Sequence, residues 1–174
     1  MRTSREQIDE YLSKLQRGED CLKEFIDYTR GYLRYIAYKY LIDKSLTDDV
    51  IFLSYDKILR AVQSFDKTKN GQAWIVKITQ NEAYKFNREG SRDVALDEYT
   101  ADLSNNSPSE NDNINKYDIE RAMARLDEQE SSIVERKIFM GMTVREIAKE
   151  MNIPKSTVAY IFKQALKKIE KYLT

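Results

Sequence analysis

The chain has 174 residues, 41% of them hydrophobic and 33% charged, with 29 basic and 29 acidic side chains, no histidine and one cysteine. That inventory suits one or two packed domains and excludes an internal disulfide, a histidine-based catalytic triad and a Cys/His zinc site. Five glycines and two prolines among many Leu, Ile, Lys, Glu and Ala predict an all-α fold.

The zero net charge conceals segregation. Residues 1–88 carry a net +3, residues 89–135 a net −9 and residues 136–174 a net +6. Basic ends around an acidic middle point to nucleic acid at the ends. The N-terminal MRTSREQIDEY has no apolar signal region, and no later run is long and apolar enough to cross a bilayer. With a single cysteine, the expected setting is a reducing cytoplasm.

In chain order, the first predicted helix is Ser4–Leu15, with Ile8, Tyr11, Leu12 and Leu15 on one face. Cys21 is expected to pack as a small apolar residue. The second helix, Leu22–Ile42, carries a stripe of Tyr28, Tyr32, Tyr35 and Ile36, better suited to packing than to stacking on bases. The third, Thr47–Phe65, opens on Thr47-Asp48-Asp49, acids that suit a helix N-terminus. Adjacent residues on a helix diverge, so Asp48 and Asp49 do not form an acid/base dyad.

A polar loop, Asp66–Gln72, leads to the fourth helix, Ala73–Arg88. Asn81, Lys85 and Arg88 fall at i, i+4 and i+7 and share one face. An amide and two cations there suit a strand backbone and an exposed base. Trp74 lies in an apolar run and is expected in the core.

Residues 93–116 read as a flexible acidic linker. Ala95–Asn115, ALDEYTADLSNNSPSENDNIN, buries too little apolar surface to offset chain entropy. Two small helical domains, 1–92 and 117–174, should therefore move independently on this tether.

The C-terminal domain begins with helices near Tyr117–Leu126 and Glu128–Phe139, the second capped by Asp127 with Glu130 at capping-box distance. Gly141 fits the position just after a helix. Thr143–Leu173, TVREIAKEMNIPKSTVAYIFKQALKKIEKYL, then reads as a helix-turn-helix. Thr143 and Glu146 form a capping box, Asn152-Ile153 makes the turn, and Pro154 suits the start of the next helix. Val158, Phe162, Ala165 and Ile169 face inward. Lys155, Ser156, Ala159, Tyr160 and Lys163 face outward, as on a helix placed in a major groove. No catalytic constellation, cofactor motif or metal-ligand set is visible, so the expected protein is not an enzyme and carries no cofactor.

The order of these pieces resembles the bacterial RNA polymerase sigma factors of the extracytoplasmic-function type. The resemblance rests on Asp48-Asp49, Phe65-Asp66, Ala73-Trp74, Ile78, Asn81 and Arg88 in the N-terminal half. In the C-terminal half it rests on Leu126, Gly141, Glu146-Ile147-Ala148 and Thr157-Val158. It implies a region 2-like domain over 1–92, which binds core RNA polymerase and the −10 element. It implies a region 4-like domain over 117–174, which reads the −35 element.

On that resemblance, Asp48, Asp49 and Phe52 would meet polymerase. Asn81, Lys85 and Arg88 would meet the −10 strand, and the Asp66–Gln72 loop would shape a pocket for a flipped base. Lys155, Ser156, Thr157, Tyr160 and Lys163 would meet the −35 duplex. The implied partners are core RNA polymerase, promoter DNA and an anti-sigma protein.

The chain departs from the pattern in places. Phe52 and Leu53 stand where the family has Gln-Glu. Lys85 holds a position often acidic. Ala159, Ile161, Gln164 and Leu166 hold positions commonly basic. Two alternatives stay open: a sigma-like accessory module that docks polymerase without reading a promoter, and a stand-alone helix-turn-helix regulator.

Overall fold

A computed structural model describes residues 3–93 and 121–173. All regular elements among them are helical: α1 (Ser4–Gln16), α2 (Leu22–Tyr40), α3 (Thr47–Ala61), α4 (Gly71–Asp93), α5 (Glu128–Val134), α6 (Val144–Met151) and α7 (Lys155–Leu173). Of the predicted linker 93–116, Asp93 is the last residue of α4 and the rest lies outside the described residues, as does the start of the helix predicted from Tyr117. Among the described residues no helix is long and apolar enough to cross a membrane.

Caps fix most helix starts. Thr3 with Glu6, Asp127 with Glu130 and Thr143 with Glu146 each form a reciprocal capping box. Asn70 caps α4, its side-chain oxygen accepting from the Ala73 N–H at 3.0 Å, so this helix starts two residues before the predicted Ala73.

Helix ends differ more from expectation, because side chains from elsewhere intervene. The second helix stops at Tyr40 rather than Ile42, since Leu41 is extended and the Lys44 ammonium donates to its carbonyl at 2.7 Å. Predicted Thr47–Phe65 becomes α3 plus a 3₁₀ turn, Val62–Ser64. There Gln16 Nε2 donates to the carbonyls of Val62 and Phe65, both at 2.8 Å. Predicted Glu128–Phe139 splits into α5 and a π-helical turn, Glu135–Phe139. That wider turn releases carbonyls at its end, which side chains of the N-terminal helices take up.

Apolar side chains form two clusters. The larger gathers Ile8 and Leu12 from α1, Phe25, Leu33 and Ile36 from α2, Val50 and Ile58 from α3, and Ile75 and Val76 from α4. Met123, Val134, Phe139 and Ala165 of the C-terminal region belong to the same cluster. The smaller consists of Ile133, Ile147, Ala148 and Val158. Phe162, half-buried, touches both. The sequence predicts two independently moving bodies; the structure packs the C-terminal region onto the N-terminal helices. Charge segregation and linker composition carry no information about this contact, which is made by scattered single residues.

Candidate nucleic-acid interface

The outer face of α7 is displayed by the turn before it. Asn152 ends α6 in the left-handed conformation, φ 53° and ψ 44°, which Asn tolerates better than most residues. The Pro154 carbonyl then accepts from the N–H groups of Thr157 and Val158, at 3.0 and 3.1 Å, and starts α7. Ile147, Ala148 and Val158 are buried between the two helices. That leaves Lys155, Ser156, Tyr160 and Lys163 exposed, Tyr160 to 64%, while Thr157 is half-buried. Thr143 and Glu146 also lock the start of α6: the Thr143 N–H donates to the Glu146 carboxylate at 2.7 Å and holds it below the usual carboxylate range.

On the N-terminal side, Asn81, Lys85 and Arg88 are all exposed on α4. Lys85 also lies 3.8 Å from Glu89 one turn on, which tempers the positive charge of that face. Trp74 is half-buried, its ring 4.7 Å from that of Phe65. The loop before α4 is built by its own side chains. Asp66 Oδ1 accepts from the Thr68 N–H at 2.9 Å and its hydroxyl at 2.7 Å, and these bonds hold the Asp66 carboxyl below its usual range. The loop's far end is pinned to α1: Gly71 N–H donates to Asp9 Oδ1 at 2.9 Å. A Cβ at Gly71 would meet that same oxygen, and Leu12 Cδ1 at 2.6 Å, so a larger residue there would force these side chains to shift.

Asp48 and Asp49 stand exposed in the first turn of α3, Asp48 paired with Arg34 of α2. Phe52 is 73% exposed one turn further, and Ile42 nearby in sequence is 77% exposed. Among the described residues no group of three or more His, Cys, Asp or Glu could hold a metal.

The three sets occupy different elements. The structure also joins the end of the Asp66–Gln72 loop to the C-terminal region, a contact that sequence reasoning did not foresee. Gln72, fully buried, donates from Nε2 to the carbonyls of Ile138 and Phe139 at 2.6 and 3.0 Å. Asn70 Nδ2 donates to the carbonyl of Met140 at 2.9 Å and approaches that of Gly141 at 3.4 Å. These are carbonyls at the end of the π turn, which have no partner within their own helix.

Beside them Tyr35 stacks on Phe139 with ring centroids 4.4 Å apart. Glu135, buried, is ion-paired with Lys39 and accepts from the Tyr40 hydroxyl at 2.8 Å. Burial and then this bond to Glu135 push the Tyr40 phenol up. The signal that could have located this contact was the tyrosine stripe of α2. It divides: Tyr35 meets the C-terminal region, Tyr32 is half-buried in the core, and Tyr28 is partly exposed against Tyr11.

Comparison with known proteins fits this arrangement. Residues 25–93 match the family described as Sigma-70 region 2, and residues 116–169 match that described as Sigma-70, region 4; together they span more than two thirds of the chain. No curated protein sequence matches the chain significantly. Among solved structures, CnrH in complex with the cytosolic domain of CnrY is similar at 16% identity, over 98% of this chain and 97% of that one, with a TM-score of 0.48. RpoE in complex with the anti-sigma factor NepR from Bartonella quintana is similar at 18% identity, over 87% and 95%, with a TM-score of 0.48. A chain of the RsbN–BldN complex is similar at 16% identity, over 92% and 97%, with a TM-score of 0.37. None of these three reaches a TM-score of 0.5, so the two region matches carry the assignment.

Proposed function

We propose that this chain, which belongs to the sigma-70 family, binds core RNA polymerase and directs promoter-specific transcription initiation. The observation that carries this reading is the succession of a region 2 match and a region 4 match on one chain, in that order. Initiation needs a protein that holds polymerase, reads duplex DNA and captures unpaired bases, and three separate surfaces here suit those tasks.

In this reading the α7 face meets the −35 duplex. Lys155 and Lys163 contact phosphates and set register; Ser156, Thr157 and Tyr160 reach base edges. On α4, Lys85 and Arg88 follow the −10 strand backbone and Asn81 offers an amide to an exposed base. The Asp66–Gln72 loop receives a flipped base, at a cost of a few kcal/mol that contacts with DNA and polymerase must offset. Asp48, Asp49 and Phe52 dock on polymerase, where Phe52 replaces a polar contact with an apolar one. The polymerase supplies the chemistry, and an anti-sigma protein is the expected antagonist.

Purified chain mixed with core RNA polymerase should co-elute with it and yield transcripts with defined start sites from genomic templates. Neither co-elution nor any start-specific transcript would sink the proposal. Co-elution without transcripts would favour the accessory-module reading, for which the uncharged Ala159 on the exposed face of α7 is the specific observation. Tight binding to a palindrome without polymerase would favour the stand-alone regulator.

A further inference from the structure

The region 2 match begins at residue 25, so α1 lies ahead of it. Ile8 and Leu12 tie this helix to the core. Its polar side chains Asp9 and Gln16 do something else. Gln16 Nε2 donates to the carbonyls of Val62 and Phe65, both at 2.8 Å, at the entry to the Asp66–Gln72 loop. Asp9 Oδ1 accepts from the Gly71 N–H at 2.9 Å, at the exit. We propose that α1 is the brace of the base-capturing loop, and that Asp9 and Gln16 are positioning residues that set which base it accepts. The inference rests on the reading that this loop takes a base.

The spacing on α1 suits a brace. Asp9, Leu12 and Gln16 fall at i, i+3 and i+7, on one face. Seven residues of helix span about 10 Å, so a rigid rod holds the two ends of the loop at a fixed separation. Leu12, fully buried, lies beside Gly71 on the same face. The attachment at the entry is mutual: Gln63 Nε2 donates to the Gln16 carbonyl at 3.3 Å.

Between these anchors the loop is stiffened by its own bonds. The Lys69 N–H donates to the Asp66 carbonyl at 2.9 Å, and Asp66 Oδ1 holds both the N–H and the hydroxyl of Thr68. Lys67, Thr68 and Lys69 stand exposed at the apex. An apex that is rigid in itself still swings when its ends move, so its aim is set by what holds the ends.

Core packing does not require these polar contacts. The heads of Asp9 and Gln16 reach main-chain groups at the two ends of one loop, whereas Ile8 and Leu12 do the packing. A pocket whose donors and acceptors are fixed rejects the wrong base by leaving buried groups unpaired, while a loose one adjusts to every base. Preorganisation of this kind is what a helix lying outside the loop can supply.

The test uses the full chain with core RNA polymerase on templates already unpaired at −10, carrying each of the four bases in turn at each −10 position. Start-specific transcript is measured. Asp9→Ala and Gln16→Met remove one anchor each, and each should reduce the preference for the best base about tenfold, as when one well-made base contact is lost. Asp9→Asn keeps an acceptor for the Gly71 N–H and should retain the parental preference. Binding to −35 duplex should be the same in all three. Val50→Ala, which truncates a fully buried side chain of α3, controls for stability. It should lower the melting temperature and leave the base preference as it was. Parental preference in both Asp9→Ala and Gln16→Met would overturn the inference. So would an equal loss of preference in Val50→Ala, which would make the effect one of stability alone. A parent chain that gives no transcript, or transcripts without base preference, would instead overturn the base-capture reading, and this inference with it.

Discussion

The two regions solve the same problem with unequal means. The N-terminal region has a deep core: Ile8, Leu12, Phe25, Leu33, Ile36, Ile58 and Ile75 are all fully buried. Its candidate strand site is built from a loop pinned at both ends by side chains. The C-terminal region buries only Ile133, Ile147, Ala148 and Val158 in a cluster of its own, and leans on its neighbour for the rest. Its candidate duplex reader is a helix face that stands exposed among the described residues. A surface that reads a rigid duplex needs a stiff helix and little else. A surface that must trap an unpaired base needs a shaped pocket, and hence a rigid core behind it.

Truncating the core should separate the regions most sharply. Phe25 is fully buried, with the rings of Tyr11 and Tyr55 at 6.1 and 6.0 Å. Phe25→Ala should cost about 3–5 kcal/mol, a large share of a small protein's stability. Phe162 is half-buried where the two clusters meet. Phe162→Ala should cost less, and should loosen α6 and α7 before it affects α1–α4. Thermal melts with hydrogen exchange on both variants check this. Equal costs, or loss of protection in α2 and α3 first in Phe162→Ala, would break the comparison.

The loop anchor comes next. Asp9→Ala leaves the Gly71 N–H without its acceptor, an omission worth about 1–3 kcal/mol when the donor is buried. Asp9→Asn should be milder. It keeps an acceptor and removes a carboxyl whose pKa is raised by burial, against the pull of the Gly71 N–H and Arg5. Exchange of the Gly71 amide should quicken in the alanine variant and stay near parental in the asparagine one.

On α7 the expected effects concern recognition. Ser156→Ala or Tyr160→Phe should change which −35 sequence is preferred, by roughly 1–3 kcal/mol where the deleted hydroxyl had bonded a base edge well. Lys163→Ala should weaken all sequences alike and flatten the salt dependence by about one unit of slope. A −35 library measured at several salt concentrations distinguishes the two behaviours.

The smallest effect is set by pH. The Thr143 N–H bond lowers the Glu146 pKa in the folded protein. Its contribution is then fully present above the ordinary carboxylate value of about 4.3, and is lost as pH falls through the lower folded value. Acid titration followed by amide exchange should show α6 fraying at its start in that window, and Glu146→Gln should remove the pH dependence of that fraying.

The difference between the regions also explains what could be read from the sequence. The starts and turns of the C-terminal helices were legible, because their signals are local: Thr143 with Glu146, Asp127 with Glu130, Asn152 in the turn, Gly141 at a positive φ of 61°; the π turn that ends α5 was not. The inward stripe of Val158 and Ala165 followed from helical spacing alone. In the N-terminal region the helices were legible, but their ends were not. Gln16 and Lys44 cap helix ends from outside the helix they serve, and no local pattern announces them. The contact through Asn70, Gln72, Tyr35 and Glu135 was least legible. A buried glutamine and a polar loop residue look like solvated surface until the carbonyls they serve are in place.

The most direct test of the divided roles is permanganate footprinting of unpaired thymines on a promoter bound by core polymerase and this chain, alongside a gel assay for duplex binding. Asn81→Ala with Arg88→Ala should keep binding to duplex carrying the −35 element and lose the thymine reactivity at −10. Tyr160→Ala with Lys163→Ala should lose duplex binding, and recover thymine reactivity on a template already unpaired at −10. Loss of the same step in both pairs, or retention of thymine reactivity in the α4 pair, would contradict the division of roles between α4 and α7.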